Sequence, residues 1–258
     1  MTRGRSAAEL ELRGGTIEYE LLPGGDPPLV FLHEGLGCLG LWRGLPAEVA
    51  DKTGRAVLAY SRFGYGCSDP VALPRPVRYM HDEALTVLPE LLDALDLHRP
   101  LLIGHSDGAS IALIHAGARS RPVTALALLA PHVIVEDETV AGIASARDAY
   151  LGSDLAARLG RWHRDVDATF WGWNDVWLSP EFRGWDIRGS LPGITEPVLI
   201  LQGDADSYGT WAQVEAIERG VSGPCRSVPV PGAGHALHLE RRAEIVEAVT
   251  DFVSVDGS

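Results

Sequence analysis

With 258 residues, 46% of them apolar, the chain is long enough to bury a substantial core and is no small stapled scaffold. Its formal net charge of −13 argues against nucleic acid or an anionic membrane surface as partner, because both would repel it at long range. Cys38, Cys67 and Cys225 are odd in number, widely separated and lack metal-ligand spacing, so neither a disulfide framework nor a metal site is expected.

Met1 to Gly15 contains no apolar signal segment and no later run is long enough for a bilayer, so a soluble, cytoplasmic protein is expected. Thr16 to Leu21 alternates apolar and polar residues, as a half-exposed antiparallel strand at a sheet edge should. Pro23 to Pro28 turns the chain. Leu29-Val30-Phe31-Leu32 then reads as a strand covered on both faces and leads into the glycine-rich stretch His33 to Gly40. Ala56 to Tyr60 is a further strand, ending in the turn Ser61 to Asp69. Met80 to Leu95 has helical spacing in Leu85, Leu88, Leu92 and Leu95, and Pro89 must kink or divide it. Leu101-Leu102-Ile103 is a buried strand, and the Ala/Ile/Leu-rich stretch after Gly108 is a helix.

Between them lies Gly104-His105-Ser106-Asp107-Gly108, a Gly-x-Ser-x-Gly motif in a strand-to-helix context. Such a turn lifts the serine hydroxyl above the sheet, and the flanking glycines remove Cβ atoms that would clash in so tight a bend. The helix start offers free N–H groups to a developing negative charge.

Val123 to Leu129 is another buried strand, followed by Pro131-His132. Strand signals then stop until Pro197. Trp162, Trp171, Trp173, Trp177 and Trp185 fall in this span, which reads as a helical insertion over the carboxyl edge of the sheet. Most of these indoles are expected to pack on one another, with one or two facing a pocket; Trp171 and Trp173 are candidates, together with His132. Val198 to Leu201 resumes the sheet, Trp211 to Arg219 is a helix, Ser227 to Val230 a last strand and Ala243 to Val253 a closing helix.

A serine hydroxyl needs a base to take its proton, and the base needs a carboxylate to fix its tautomer. Two loops that follow strands supply candidates: Gly203-Asp204-Ala205-Asp206, and Gly232-Ala233-Gly234-His235 with His238 beyond it. Serine, acid and histidine in this order and context make the chain resemble the α/β-hydrolase superfamily over nearly its whole length. The resemblance implies an α/β fold: a mostly parallel eight-stranded sheet with helices on both faces, residues 1–131 and 193–258 forming the core and 132–192 a helical cap. It carries the nucleophile to Ser106, the acid to Asp206 and the base to His235, leaving Asp204 to the turn and His238 beneath the loop.

The family's oxyanion donors fall on the backbone N–H groups of Asp107 and Leu36. Glu34 stands where a histidine is usual, and Ser61 where aspartate is common. Glu34 brings a carboxylate to the active site, either as a hydrogen-bonded structural group or as an auxiliary acid or base, and His105 reads as structural or surface. The implied function is hydrolysis of a small to medium apolar ester or lactone by a cofactor-free enzyme. The same triad also serves carbon–carbon bond hydrolysis, acyl transfer, lyase chemistry and ligand reception. A second reading takes Gly35-Leu36-Gly37-Cys38-Leu39-Gly40 as a Gly-x-Gly-x-x-Gly dinucleotide loop with Arg62 as the phosphate partner of NADP. A small molecule is the expected partner, and the sequence is compatible with a homo-oligomer.

Overall fold

The structure, a computed structural model, describes residues 7–256. Residues 1–6 of the stretch scanned for a signal segment lie outside the described residues. Eight strands, β1 (Ala8–Leu12), β2 (Gly15–Leu22), β3 (Gly25–Leu32), β4 (Arg55–Tyr60), β5 (Leu101–His105), β6 (Ala125–Leu129), β7 (Val198–Gly203) and β8 (Cys225–Val230), form one sheet in the order β1-β2-β4-β3-β5-β6-β7-β8. Strands β3 to β8 run parallel, whereas β2 pairs antiparallel with both β1 and β4. The strand expected at the edge is therefore one place inside it. β1 covers it through a tight hairpin whose Gly15 has φ +126°, and the alternation of Leu10 and Leu12 with glutamates is its sequence signature.

Every residue of β5, β6 and β7 is buried, which is why these segments read as continuous apolar runs rather than alternating ones. The two-residue period still divides them: Leu102, Leu126 and Leu128 enter the core on one face, Leu101, Ile103, Ala125 and Ala127 that on the other. Each such leucine or isoleucine contributes roughly 1.5–3 kcal/mol by leaving water. The helix Asp107–Gly117 lies within the first of these cores and is buried from Asp107 to Ala116.

The predicted helix over Met80 to Leu95 keeps its direction through Pro89 by widening. A π-helical turn at Glu83–Val87 separates the helical turn Tyr79–Asp82 from the helix Leu88–Ala94, so the proline falls in the first turn of a new segment, where its missing N–H costs nothing. Between β6 and β7 run the helices Asp137–Gly152, Leu155–Leu159 and Val166–Leu178, with an Ile134–Asp186 bridge at their base. Their aromatic side chains do pack on one another. Tyr150 stacks on Phe170 with ring centroids 3.8 Å apart, and Phe182 stacks on Trp185. No helix among the described residues is long and apolar enough to cross a membrane.

Candidate active site

Ser106 occupies the sharp turn between β5 and the buried helix, with φ 53° and ψ −117°. A positive φ costs a non-glycine residue roughly 1–3 kcal/mol and persists only where the surroundings impose it. Here the Ser106 amide donates to Leu129 O at 2.9 Å, tying the turn to β6. The flanking glycines permit close approach: a Cβ on Gly108 would fall on the Leu32 carbonyl, and one on Gly104 would fall on the Gly108 carbonyl.

The loops after β7 and β8 meet beside it. His235 Nδ1 lies 2.8 and 3.0 Å from the two oxygens of Asp206, which also accepts from the Tyr208 amide at 2.8 Å and from Gln202 Nε2 at 3.0 Å. Burial pushes the Asp206 carboxyl up. The hydrogen bond and charge of His235, with the Tyr208 amide, outweigh it and hold its pKa at about 2. A carboxylate that only accepts places the proton on Nδ1, leaving His235 Nε2 as the basic nitrogen. Asp204, the other acid of the loop, accepts from the Gly232 amide at 2.7 Å and so ties the two loops together. His238 packs under the loop against Trp42, their rings 5.1 Å apart; burial and neighbouring His105 push its pKa down to about 4.

Leu36 and Asp107 line the same cavity as Ser106 and His235, and neither amide has an acceptor among the described residues. The loop that presents Leu36 is held from both sides. His163, from the segment between β6 and β7, lies with Nε2 at 3.0 Å from Leu36 O. Arg62, only 2% exposed, donates to Glu34 O at 2.8 Å and His33 O at 3.2 Å and faces Asp107 Oδ2 at 3.8 Å. This corrects the dinucleotide reading. The guanidinium assigned to an NADP phosphate is consumed inside the protein, and the glycine run passes into a short 3₁₀ turn at Leu39–Trp42, which is no long helix whose N-terminus could hold a pyrophosphate. Tyr79 completes the arrangement, donating to Asp107 Oδ2 at 2.6 Å and accepting from Trp177 Nε1 at 2.9 Å.

Glu34 and His105 form a second pair. His105 Nδ1 lies 3.3 Å from Glu34 Oε2, and its Nε2 lies 2.9 Å from the backbone oxygen of His235. Both ring nitrogens thus face acceptors, which favours the imidazolium. Burial pushes the His105 pKa down, but the Glu34 carboxylate carries it above the usual histidine value. Burial likewise pushes Glu34 up, and the hydrogen bond and charge of His105 bring it well below the usual carboxylate range. His105, expected as a structural or surface residue, is therefore no surface group: it is buried and joins the loop of Glu34 and Leu36 to the loop of His235.

The cavity measures about 220 Å³, just under the ~300–1,000 Å³ usual for drug-sized ligands. Glu34, His132 and Trp173 line it as expected. Trp171 does not. It packs against Tyr150 and Phe170, with Arg147 5.5 Å above its ring. On a helix, positions 173 and 177 share a face while 171 lies on the opposite one, so the second indole in the wall is Trp177. Thr139, Ile143 and Tyr208 complete the wall. Nothing in the sequence marks Thr139 or Ile143 beyond their place on a helix of the inserted segment.

Residues 29–248 match the model of the alpha/beta hydrolase family. The polyketide synthase ThaQ of Burkholderia thailandensis is 30% identical over 97% of this chain, which spans 13% of that protein. An epoxide hydrolase A of Mycobacterium tuberculosis is 34% identical over 80 residues, 30% of this chain and 25% of that one, so the chain spans a quarter or less of these two relatives. The 3-oxoadipate enol-lactonase 1 of Acinetobacter baylyi is 23% identical over 93% of this chain and 94% of its own. Among solved structures, an esterase from Exiguobacterium antarcticum superposes with a TM-score of 0.76 at 20% identity, covering 96% of this chain and 100% of that one, a likeness of fold. The chain belongs to the alpha/beta hydrolase family.

Proposed function

We propose that the protein is a serine hydrolase acting on small to medium, largely apolar esters or lactones. The observation that carries this is the His235–Asp206 pair, with both carboxylate oxygens within 3.0 Å of Nδ1, in one cavity with a serine held at positive φ and two amides free of acceptors. Ser106 Oγ attacks the carbonyl carbon as its proton passes to His235 Nε2. The carbonyl oxygen becomes an oxyanion facing the Leu36 and Asp107 amides, each worth roughly 3–4 kcal/mol of barrier. Collapse breaks the acyl C–O bond, and the leaving alkoxide takes the proton from Nε2. Water repeats the sequence on the acyl-enzyme, releasing the acid and regenerating Ser106. Asp206 holds the imidazolium throughout. In this reading residues 132–192 are the cap, whose Trp173 and Trp177 form the apolar wall of the substrate cavity, and the lactonase and esterase among the relatives and neighbours support the substrate class.

Incubation with a fluorophosphonate followed by intact-mass measurement tests the proposal without a known substrate. One adduct is expected on the wild type and none on Ser106→Ala, which also loses turnover of short esters while keeping the wild-type melting profile. A folded wild type that takes no adduct and cleaves no ester or lactone would refute it.

A further inference from the structure

Three polar atoms in residues of the cavity wall have no partner among the described residues. His132 is 2% exposed and Thr139, in the first turn of the helix Asp137–Gly152, is 1% exposed, yet His132 Nδ1 and Thr139 Oγ1 make no hydrogen bond among the described residues. Buried polar groups in folded proteins are nearly always paired, and an exception inside a ligand cavity points to what the ligand brings. Asp107 Oδ1 is also unpaired, but that carboxylate already has Tyr79 and Arg62 on its other oxygen.

The kind of group required follows from the donors and acceptors. His132 Nε2 lies 3.0 Å from the Tyr208 carbonyl oxygen, which can only accept, so Nε2 carries the proton and Nδ1 is a bare acceptor. Burial, with His235 close by, pushes the His132 pKa down and keeps the ring neutral. Thr139 can both donate and accept. A hydroxyl can give a proton to Nδ1 and receive one from Thr139 through a single oxygen, whereas a ketone or ether would leave Nδ1 empty. A carboxylate or phosphate would find no lysine or arginine in the wall, and would meet Glu34. The His132 and His235 rings are 5.6 Å apart, so the site adjoins the reacting centre.

We propose that His132 and Thr139 form a hydroxyl-recognising subsite, so that the substrate is a neutral ester or lactone carrying an alcohol within a few bonds of the scissile carbonyl. This rests on the hydrolase reading above and narrows it. The test compares kcat/KM for methyl butyrate with that for methyl 2-, 3- and 4-hydroxybutyrate, followed by pH-stat titration of the released acid. The wild type should favour one hydroxylated ester by at least about tenfold. Thr139→Val, which keeps the shape, and His132→Gln, which keeps a donor for Tyr208 O and removes Nδ1, should bring that ratio close to one. Thr139→Ser should retain it.

A wild type that cleaves all four esters at comparable kcat/KM, or a Thr139→Val enzyme that keeps the preference, would overturn the subsite and leave the hydrolase standing. Absence of both ester cleavage and a fluorophosphonate adduct would remove the two together. Because the preference is first read in the wild type, a variant that fails to fold does not shield the proposal.

Discussion

Replacing Arg62 by methionine keeps the length of the side chain and removes its charge and fork of donors. Four groups lose a partner: the Asp107 carboxylate at 3.8 Å, His33 O at 3.2 Å, Glu34 O at 2.8 Å and the His33 ring nitrogen Nε2 at 3.4 Å. At 3.8 Å and an effective dielectric constant of about 20, the attraction to Asp107 is roughly 4 kcal/mol, consistent with the ~3–5 kcal/mol lost when a buried pair loses one member. Glu34 O still has the Gly37 amide and His33 Nδ1, but His33 O is stranded, adding about 1–3 kcal/mol. Arg62→Met should therefore lower unfolding stability by about 5–7 kcal/mol, measured by urea denaturation, a large share of the ~5–15 kcal/mol a domain possesses. The same side chain holds the loop that presents Leu36 and faces Asp107, whose amide is the other proposed oxyanion donor. Loss of one donor costs about 10²–10³ in kcat, so kcat should fall in that range with KM within about threefold. Arg62→Lys restores a charge opposite Asp107 without the planar fork, and should recover stability more than turnover. A folded Arg62→Met enzyme with wild-type kcat would refute the argument that this guanidinium aligns the oxyanion donors.

Asp206→Asn keeps the shape of the acid but can present its amide N–H to His235, which then favours the wrong tautomer; kcat for ester cleavage should drop about 10⁴-fold, while the melting temperature changes little by comparison. Since the Asp206 pKa is held at about 2, its ionisation should place no limb on the pH–rate profile of the wild type above about pH 4. Glu34→Gln removes the partner of the His105 imidazolium. His105 has a folded pKa above its unfolded value of about 6.5, so its contribution is complete below that pH and is lost as pH rises through the folded value. Glu34 has a folded pKa below its unfolded value, so its contribution is present above about 4.5 and is lost as pH falls through the folded value. The melting-temperature gap between wild type and Glu34→Gln should thus be widest near pH 5–6 and close on the alkaline side. A gap that stays constant from pH 5 to pH 9 would mean that the pair carries no net stabilisation.

The strand–Ser106–helix turn was legible because its signals are contiguous: an apolar run, two glycines where backbone crosses backbone, then a helix-forming stretch. The loops bearing Asp206 and His235 were legible for the same reason, each following a strand, fully buried in β7 and partly buried in β8. Features set by packing between distant segments were not. Arg62 sits at a strand end in a glycine-rich neighbourhood, where a ligand-binding arginine and a buried structural one look alike until the carbonyls of His33 and Glu34 are seen to converge on it. His105 is one position from Ser106, yet its role depends on Glu34, 71 residues away, and on His235, 130 residues away. Trp171 and Trp173 were indistinguishable by composition; the helical period separates them only once a neighbouring wall residue fixes which face looks inward. β1 escaped because it is only five residues long and two of them are glutamates, although Leu10 and Leu12 and the glycine turn were present.

Three carboxylates lie around Ser106, and each is held by a fixed neighbour: Asp206 by hydrogen bonds to the His235 ring, Glu34 by His105, Asp107 by Arg62. An incoming carbonyl compound therefore meets dipoles that are already oriented. Those dipoles are held by the fold before substrate arrives, so little reorientation remains to be done as charge builds on the carbonyl oxygen. The formal charge of −13 resides mainly on the exterior, where added salt can screen it without reaching the chemistry.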